Sequence, residues 1–151
     1  MTKQTFNSVM EACAAIAVLA ADAEGGTWRV TERAGKIEVE APESGYCVGG
    51  AGVDGMSWVR NTPFNAGQIN EFVYARTGFA KERVSNIRAS ATIGLWRDGE
   101  TGKWWLDAVT VCAYTVEGQS RAARREYALG LAALRGELAI WCIDENGEYR
   151  V

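Results

Sequence analysis

The chain contains no histidine. That removes the one side chain that titrates unaided near neutral pH, and with it the commonest metal ligand. Ser-His-Asp and Cys-His sites are excluded, as is any zinc site built on imidazole. Four cysteines, Cys13, Cys47, Cys112 and Cys142, form no Cys-x-x-Cys pair, so zinc-ribbon and thioredoxin-like motifs are missing as well. Each lies in an apolar run, where a free cysteine behaves as a small hydrophobe, and this predicts reduced, buried thiols in a cytoplasmic protein. Long hydrophobic runs are lacking: ACAAIAVLA is too short to span a bilayer, which argues against a membrane partner. Ala21-Asp22-Ala23 has the form of a signal cleavage site, but one Lys precedes the apolar run and Glu11 abuts it, against a secretory role. Positive charge is not in excess either. Lys and Arg number 16 against 19 Asp and Glu, a net charge of -3, so nothing in the overall charge attracts nucleic acid or anionic membranes.

What is present is an ordinary globular composition, 151 residues with 48% hydrophobic and 23% charged. That length suits a single domain over residues 1–151. Helical spacing of Phe6, Val9, Met10, Cys13, Ile16, Ala17 and Ala20 predicts an amphipathic helix over 5–24, stopped by Gly25-Gly26; Ser8 and Glu11 would form a capping box if it starts later. TWRVTE and IEVE alternate with period two around RAGK and read as a hairpin with one wet face. Short strands are expected at YCV and around 56–60. Asn65 with Gln68 predicts the start of a second helix, closed by Gly78. Two long strands follow at about 86–97 and 103–116, then a helix from Ser120 to Arg135 closed by Gly136, then LAIWCI, a DENG turn and EYRV. The strand-helix-strand order after Lys103 implies a crossover returning LAIWCI to the same sheet. The expected fold is α+β, one domain, a mainly antiparallel sheet with about three helices packed on it.

Several stretches invite a chemical reading. Gly50-Ala-Gly52-Val-Asp-Gly55 matches G-x-G-x-x-G, but a dinucleotide site needs a helix opening there, and MSWVRNTPF does not read as one. A strand-connecting loop is expected, with no cofactor. Asp144-Glu-Asn-Gly147 lacks the later ligands of a calcium loop and reads as a hairpin turn, so no metal is expected. Arg121, Arg124 and Arg125 share a helical face, which is either a phosphate- or acid-binding patch or a solvated face opposite a buried stripe of Ala123, Tyr127, Leu131 and Leu134. Asp107 sits in the apolar run WWLDAVTV. It is either a perturbed acid in a pocket, with Asp54 a second carboxylate near the glycine-rich loop, or a face-alternating or Arg-paired carboxylate.

The densest feature is LWRDGETGKWWLDAVTVCAY. Asp98-Gly-Glu-Thr-Gly102 has turn chemistry, so the flanking strands run antiparallel. If Asp98 pairs with Lys103, Trp96 lies opposite Trp105, and Leu95 and Ile93 meet Leu106 and Ala108; a register slipped by one would exchange these partners. Trp104 and Trp105 must point to opposite faces, leaving one outward indole as a candidate partner contact.

The pattern G-x-W-x-D-x-x-T-G-K-W-W-L-D, an alanine-rich helix, G-E-L-A-I-W and a closing D-E-N-G turn, together with the earlier S-G-Y-C-V-G-G, resembles a group of small uncharacterised proteins of phages, plasmids and other bacterial mobile elements. The match covers about residues 93–151; it departs at Cys142, where an aspartate is expected. It implies an accessory protein and transfers no catalytic residue. The expectation is therefore a non-catalytic accessory protein that binds a macromolecule, in the first place a protein, with a counter-defence inhibitor as one form. Contacts are expected at Trp104 or Trp105 and at rim charges. The alternatives are nucleic-acid binding through Arg121, Arg124 and Arg125, and a small histidine-independent enzyme. Self-association is left open.

Overall fold

The computed structural model describes residues 3–84 and 88–151, and only the backbone of Arg83 and Val84. The chain is α+β, as its patterning implies, but its strands divide between two antiparallel sheets. The first contains β1 (Gln4–Phe6), β2 (Gly25–Arg33), β3 (Lys36–Glu40), β5 (Trp58–Arg60), β6 (Ser90–Arg97) and β7 (Trp104–Ala108), in the order β1-β3-β2-β6-β7-β5. The second contains β4 (Tyr46–Val48), β8 (Thr110–Cys112), β9 (Ala139–Cys142) and β10 (Gly147–Arg150), in the order β10-β9-β4-β8.

The first helix, α1 (Val9–Ala23), begins later than periodicity alone suggests. Ser8 Oγ accepts from Glu11 N at 3.1 Å, and the Glu11 carboxylate reaches back to Asn7 N at 3.1 Å. This cap fixes the start and frees 4–6 to pair with β3, so Phe6 belongs to a strand. Residues of α1 and α2 (Ala66–Arg76) cover one face of the large sheet: Ala12, Cys13, Ile16, Ile69, Phe72 and Val73 meet Trp28, Val30, Ile37, Val39, Ile93, Leu95 and Leu106 in one buried cluster. Asn65 and Gln68 form a reciprocal capping box at the start of α2. A short α3 (Phe79–Val84) follows Gly78; the part of the expected strand at 85–87 lies outside the described residues.

The strand expected over 103–116 is split. It leaves the large sheet after Ala108 and resumes at Thr110 in the small one, with Val109 as the corner; Val109 N still donates to Thr92 O at 2.9 Å. Opposite this corner Gly94 gives room for the turn: a Cβ there would lie 3.0 Å from a Val109 methyl, which would have to give way. The crossover through α4 (Arg121–Leu134) does return β9 to the sheet of β8. Both pair antiparallel with β4 and so run parallel to each other across it. A second, smaller core forms between α4 and this sheet, from Tyr46, Val48, Cys112, Ala128, Ala132, Ile140 and Cys142. All four cysteines are free and buried.

Candidate functional site

The tryptophan hairpin is set by its turn. Asp98 N donates to Lys103 O and Gly102 N to Asp98 O, each at 2.8 Å, and Gly102 adopts a φ of 73°. The Asp98 carboxylate accepts from Glu100 N and Thr101 Oγ1, and the bond from Glu100 N leads in holding its pKa below the ordinary value. The resulting register pairs Trp96 with Trp105, Leu95 with Leu106 and Ile93 with Ala108. Trp104 falls on the core side at 6% exposure, within the large cluster, and offers no surface to a partner. The outward indole is Trp105.

Trp105 is not bare. Its ring stacks on Trp96 with centroids 6.2 Å apart and planes at 7°. On its other side β5 places Val59 directly opposite. Cross-strand partners share a face, so Trp96, Trp105 and Val59 form one apolar row across three strands of the sheet's outer face. Trp96 and Val59 remain 41% and 47% exposed. At the far end of the row Gly25 pairs with Trp96 and supplies no side chain; a Cβ there would lie 2.8 Å from Leu95 O. Beyond Val59 the sheet ends, and an open groove of about 440 Å³ runs between β5 and α2, lined by residues that include Trp58, Val59, Gln68 and Glu71.

One step along the same face lies Asp107, 2% exposed. Its Oδ2 accepts from Gly50 N at 2.9 Å, while Oδ1 is buried without a well-formed hydrogen bond. Glu137, in the loop before β9, converges on the same spot. A methyl group on Gly49 would sit 2.4 Å from Asp107 Oδ2 and 3.4 Å from Glu137 Oε1. Burial raises the pKa of Asp107, with Gly50 N and then weaker partners, among them Ser57 and Arg135, pulling it back. Burial also raises that of Glu137, and the Asp107 charge adds to this. Arg135, at the C-cap of α4, ties that helix to the small sheet and its loop, donating to Val48 O, Gly49 O and Thr110 Oγ1 at 3.3, 3.2 and 3.0 Å. Asp107 therefore fastens the large sheet to the glycine-rich loop, and its burial leaves no carboxylate atom for a substrate to meet. Asp54 is engaged elsewhere, in an ion pair with Arg76 that folds the loop onto the end of α2.

The arginine face of α4 leans on the small sheet, with its guanidinium groups still partly open to solvent, the reverse of the expected arrangement. The Arg121 guanidinium lies 3.8 Å over the Tyr114 ring and donates to Asp144 Oδ1 at 3.0 Å and Tyr46 Oη at 3.3 Å. Tyr114 Oη donates to the same Asp144 oxygen, and this bond, followed by those from Arg121, holds the Asp144 carboxyl well below its usual value. Arg124 donates to Ala113 O at 3.1 Å and covers Tyr127, and Arg125 covers Tyr149 at 4.8 Å. Each guanidinium is thus occupied within the chain by an aromatic face or an acceptor. The supposed buried stripe is the exposed one: Ala123, Tyr127 and Leu134 face out, Leu131 is half-buried, and Ala128 and Ala132 are buried instead. The tyrosines of YCV, VCAY and EYRV were the sequence signal for this cluster. Glu137 carried none beyond its place before a strand.

Among the described residues no group of three or more acidic, histidine or cysteine side chains is placed to hold a metal ion, and no helix is long and apolar enough to cross a membrane. No protein-family model, curated protein or solved structure matches the chain.

Proposed function

We propose that this protein acts without catalysis, by binding a protein partner through the row Trp96, Trp105 and Val59. The observation that carries the reading is that row. It is a stacked aromatic pair, continued by an exposed valine, on the sheet face opposite the one that α1 and α2 cover. Large flat aromatics with little rotamer freedom are the side chains on which binding energy concentrates. The resemblance to small mobile-element proteins supports the role of an accessory protein, of which a counter-defence inhibitor is one form. Nucleic-acid binding through Arg121, Arg124 and Arg125 is disfavoured, because those guanidinium groups are already engaged.

The test is affinity capture from lysate of a bacterium that carries such elements, with wild type compared to a Trp96→Ser, Val59→Asp double variant of unchanged circular dichroism. Recovery of one stoichiometric protein by the wild type, and its loss with the variant, supports the reading. Equal recovery by both, or no stoichiometric protein with either, overturns it.

A further inference from the structure

We propose that Glu137 is a proton-operated latch between the two sheets: protonated, it sits beside Asp107 and closes the junction; ionised, it swings out to water and lets the junction loosen. Asp107 is fixed on β7 of the large sheet, whereas Glu137 belongs to the short loop that joins α4 to β9 of the small one. The glycine-rich loop after β4 runs between them, and its first two residues show how closely they meet. A methyl group on Gly49 would lie 2.4 Å from Asp107 Oδ2 and 3.4 Å from Glu137 Oε1, and one on Gly50 would lie 2.7 Å from Glu137 Oε1. One carboxyl group from each side of the junction thus converges on a space too small for a methyl.

Two charged carboxylates in so small a space repel, so one of them keeps its proton longer than an isolated carboxyl would. Asp107 is the better supported as an anion. Its Oδ2 accepts from Gly50 N at 2.9 Å, with Ser57 a weaker partner. Among the described residues none donates a hydrogen bond to the Glu137 carboxyl. Burial, and then the Asp107 charge, raise the pKa of Glu137, and Arg135 pulls it back. Arg135 acts on both carboxyls from the C-cap of α4, but its guanidinium is bonded to Val48 O, Gly49 O and Thr110 Oγ1 and to neither carboxylate. Further along the loop Asp54 and Arg76 neutralise each other.

Glu137 is the group that can move. It is half-buried, so an ionised side chain reaches water by rotating out of the junction, while Asp107 at 2% exposure cannot. Because the raised value belongs to the closed form, closure is strongest below the ordinary carboxylate range. It weakens as pH rises from there to the raised value. Trp105 stands two residues before Asp107 on the same strand face, so the latch lies at the margin of the tryptophan row.

Carboxyl carbon-13 shifts and exchange of the Gly50 amide test this on the full chain, from about pH 3 to about pH 9, the span that covers ordinary and raised carboxyl groups. Glu137 is expected to titrate above the ordinary carboxylate value, and closer to that value in Asp107→Asn. Gly50 protection, corrected for the base dependence of exchange, should fall through the same range by up to about tenfold per pH unit, the limit for one proton. Glu137→Gln keeps the size and cannot ionise, so it should make that fall shallower. A Glu137 that titrates at its ordinary value in wild type overturns the proposal, as does one that titrates identically in Asp107→Asn. Equal Gly50 profiles in wild type and Glu137→Gln overturn it too. The wild-type titration needs no variant, so it decides the matter even where a variant fails to fold.

Discussion

At the scale of single residues, Asp107 is the most demanding position in the molecule. A carboxyl group at 2% exposure with one oxygen lacking a well-formed hydrogen bond favours its neutral form, burial outweighing the bonds that pull the other way. Folding therefore takes up a proton when the pH lies between the ordinary carboxylate value and the raised one. The associated stability is full below the unfolded pKa and is lost as pH rises through the folded pKa. Asp107→Asn keeps an oxygen for Gly50 N–H and cannot ionise. Its stability relative to wild type is expected to improve steadily as pH rises above the ordinary carboxylate range, read from urea midpoints at a series of pH values. Asp144 acts in the opposite sense: its depressed pKa contributes stability that is lost as pH falls. Gly49→Ala should destabilise by about 1–3 kcal/mol, because its methyl would overlap Asp107 Oδ2 and the buried junction has no slack. That Asp107 was unusual could be read from its place among apolar residues; its partners could not, because Gly50 and Glu137 are distant in sequence.

At the scale of elements, the hairpin and α4 stand at opposite ends of legibility. The Asp98–Gly102 turn chemistry marked the hairpin, and of the two registers that it left open the structure adopts the one that pairs Asp98 with Lys103 and so sets Trp96 against Trp105. A double-mutant cycle on Trp96→Ala and Trp105→Ala should return a coupling of about 0.5–1.5 kcal/mol, the range for stacked aromatics beyond their burial. A much smaller value would mean the two rings do not stack in solution. For α4 the pattern of apolar residues pointed to the wrong face. Binary patterning assumes arginine prefers water, but here the sheet presents tyrosine rings, carbonyls and Asp144, which receive guanidinium groups better than an aliphatic surface would. Gly130→Ala should raise stability by about 1 kcal/mol, read from urea midpoints, because a methyl group there meets nothing within 4 Å. At the start of α2, Asn65→Ala should cost about 1 kcal/mol through loss of the bond to Gln68 N.

At the scale of the whole molecule, two sheets and two cores meet at Val109. The thiols report on both. Cys13 lies in the larger core, with burial pushing its pKa up to about 12, and Cys112 and Cys142 lie in the smaller; Cys47, on β4, is pushed up to about 11. Thiolate is the reactive form, so native thiols at pH 8 should react with an aromatic disulfide reagent only as fast as the structure opens. If the smaller core opens by itself, Cys112 and Cys142 will react before Cys13, which mass spectrometry of the labelled peptides resolves. Simultaneous labelling of all four would mean that the two sheets unfold as one unit.

The sequence by itself determined what depends on neighbours along the chain: the helix cap at Asn65, the tight turn at Asp98–Gly102, the apolar setting of each thiol, and the α+β class. It excluded histidine chemistry outright. Only the tertiary structure decided that the long strand turns a corner into a second sheet, that Trp104 is core while Trp105 stacks on Trp96, and that α4 rests its arginines against the small sheet. The reason is the same in each case. Which face of an element is buried depends on what the opposing surface offers, and that surface is assembled from residues far away in the chain.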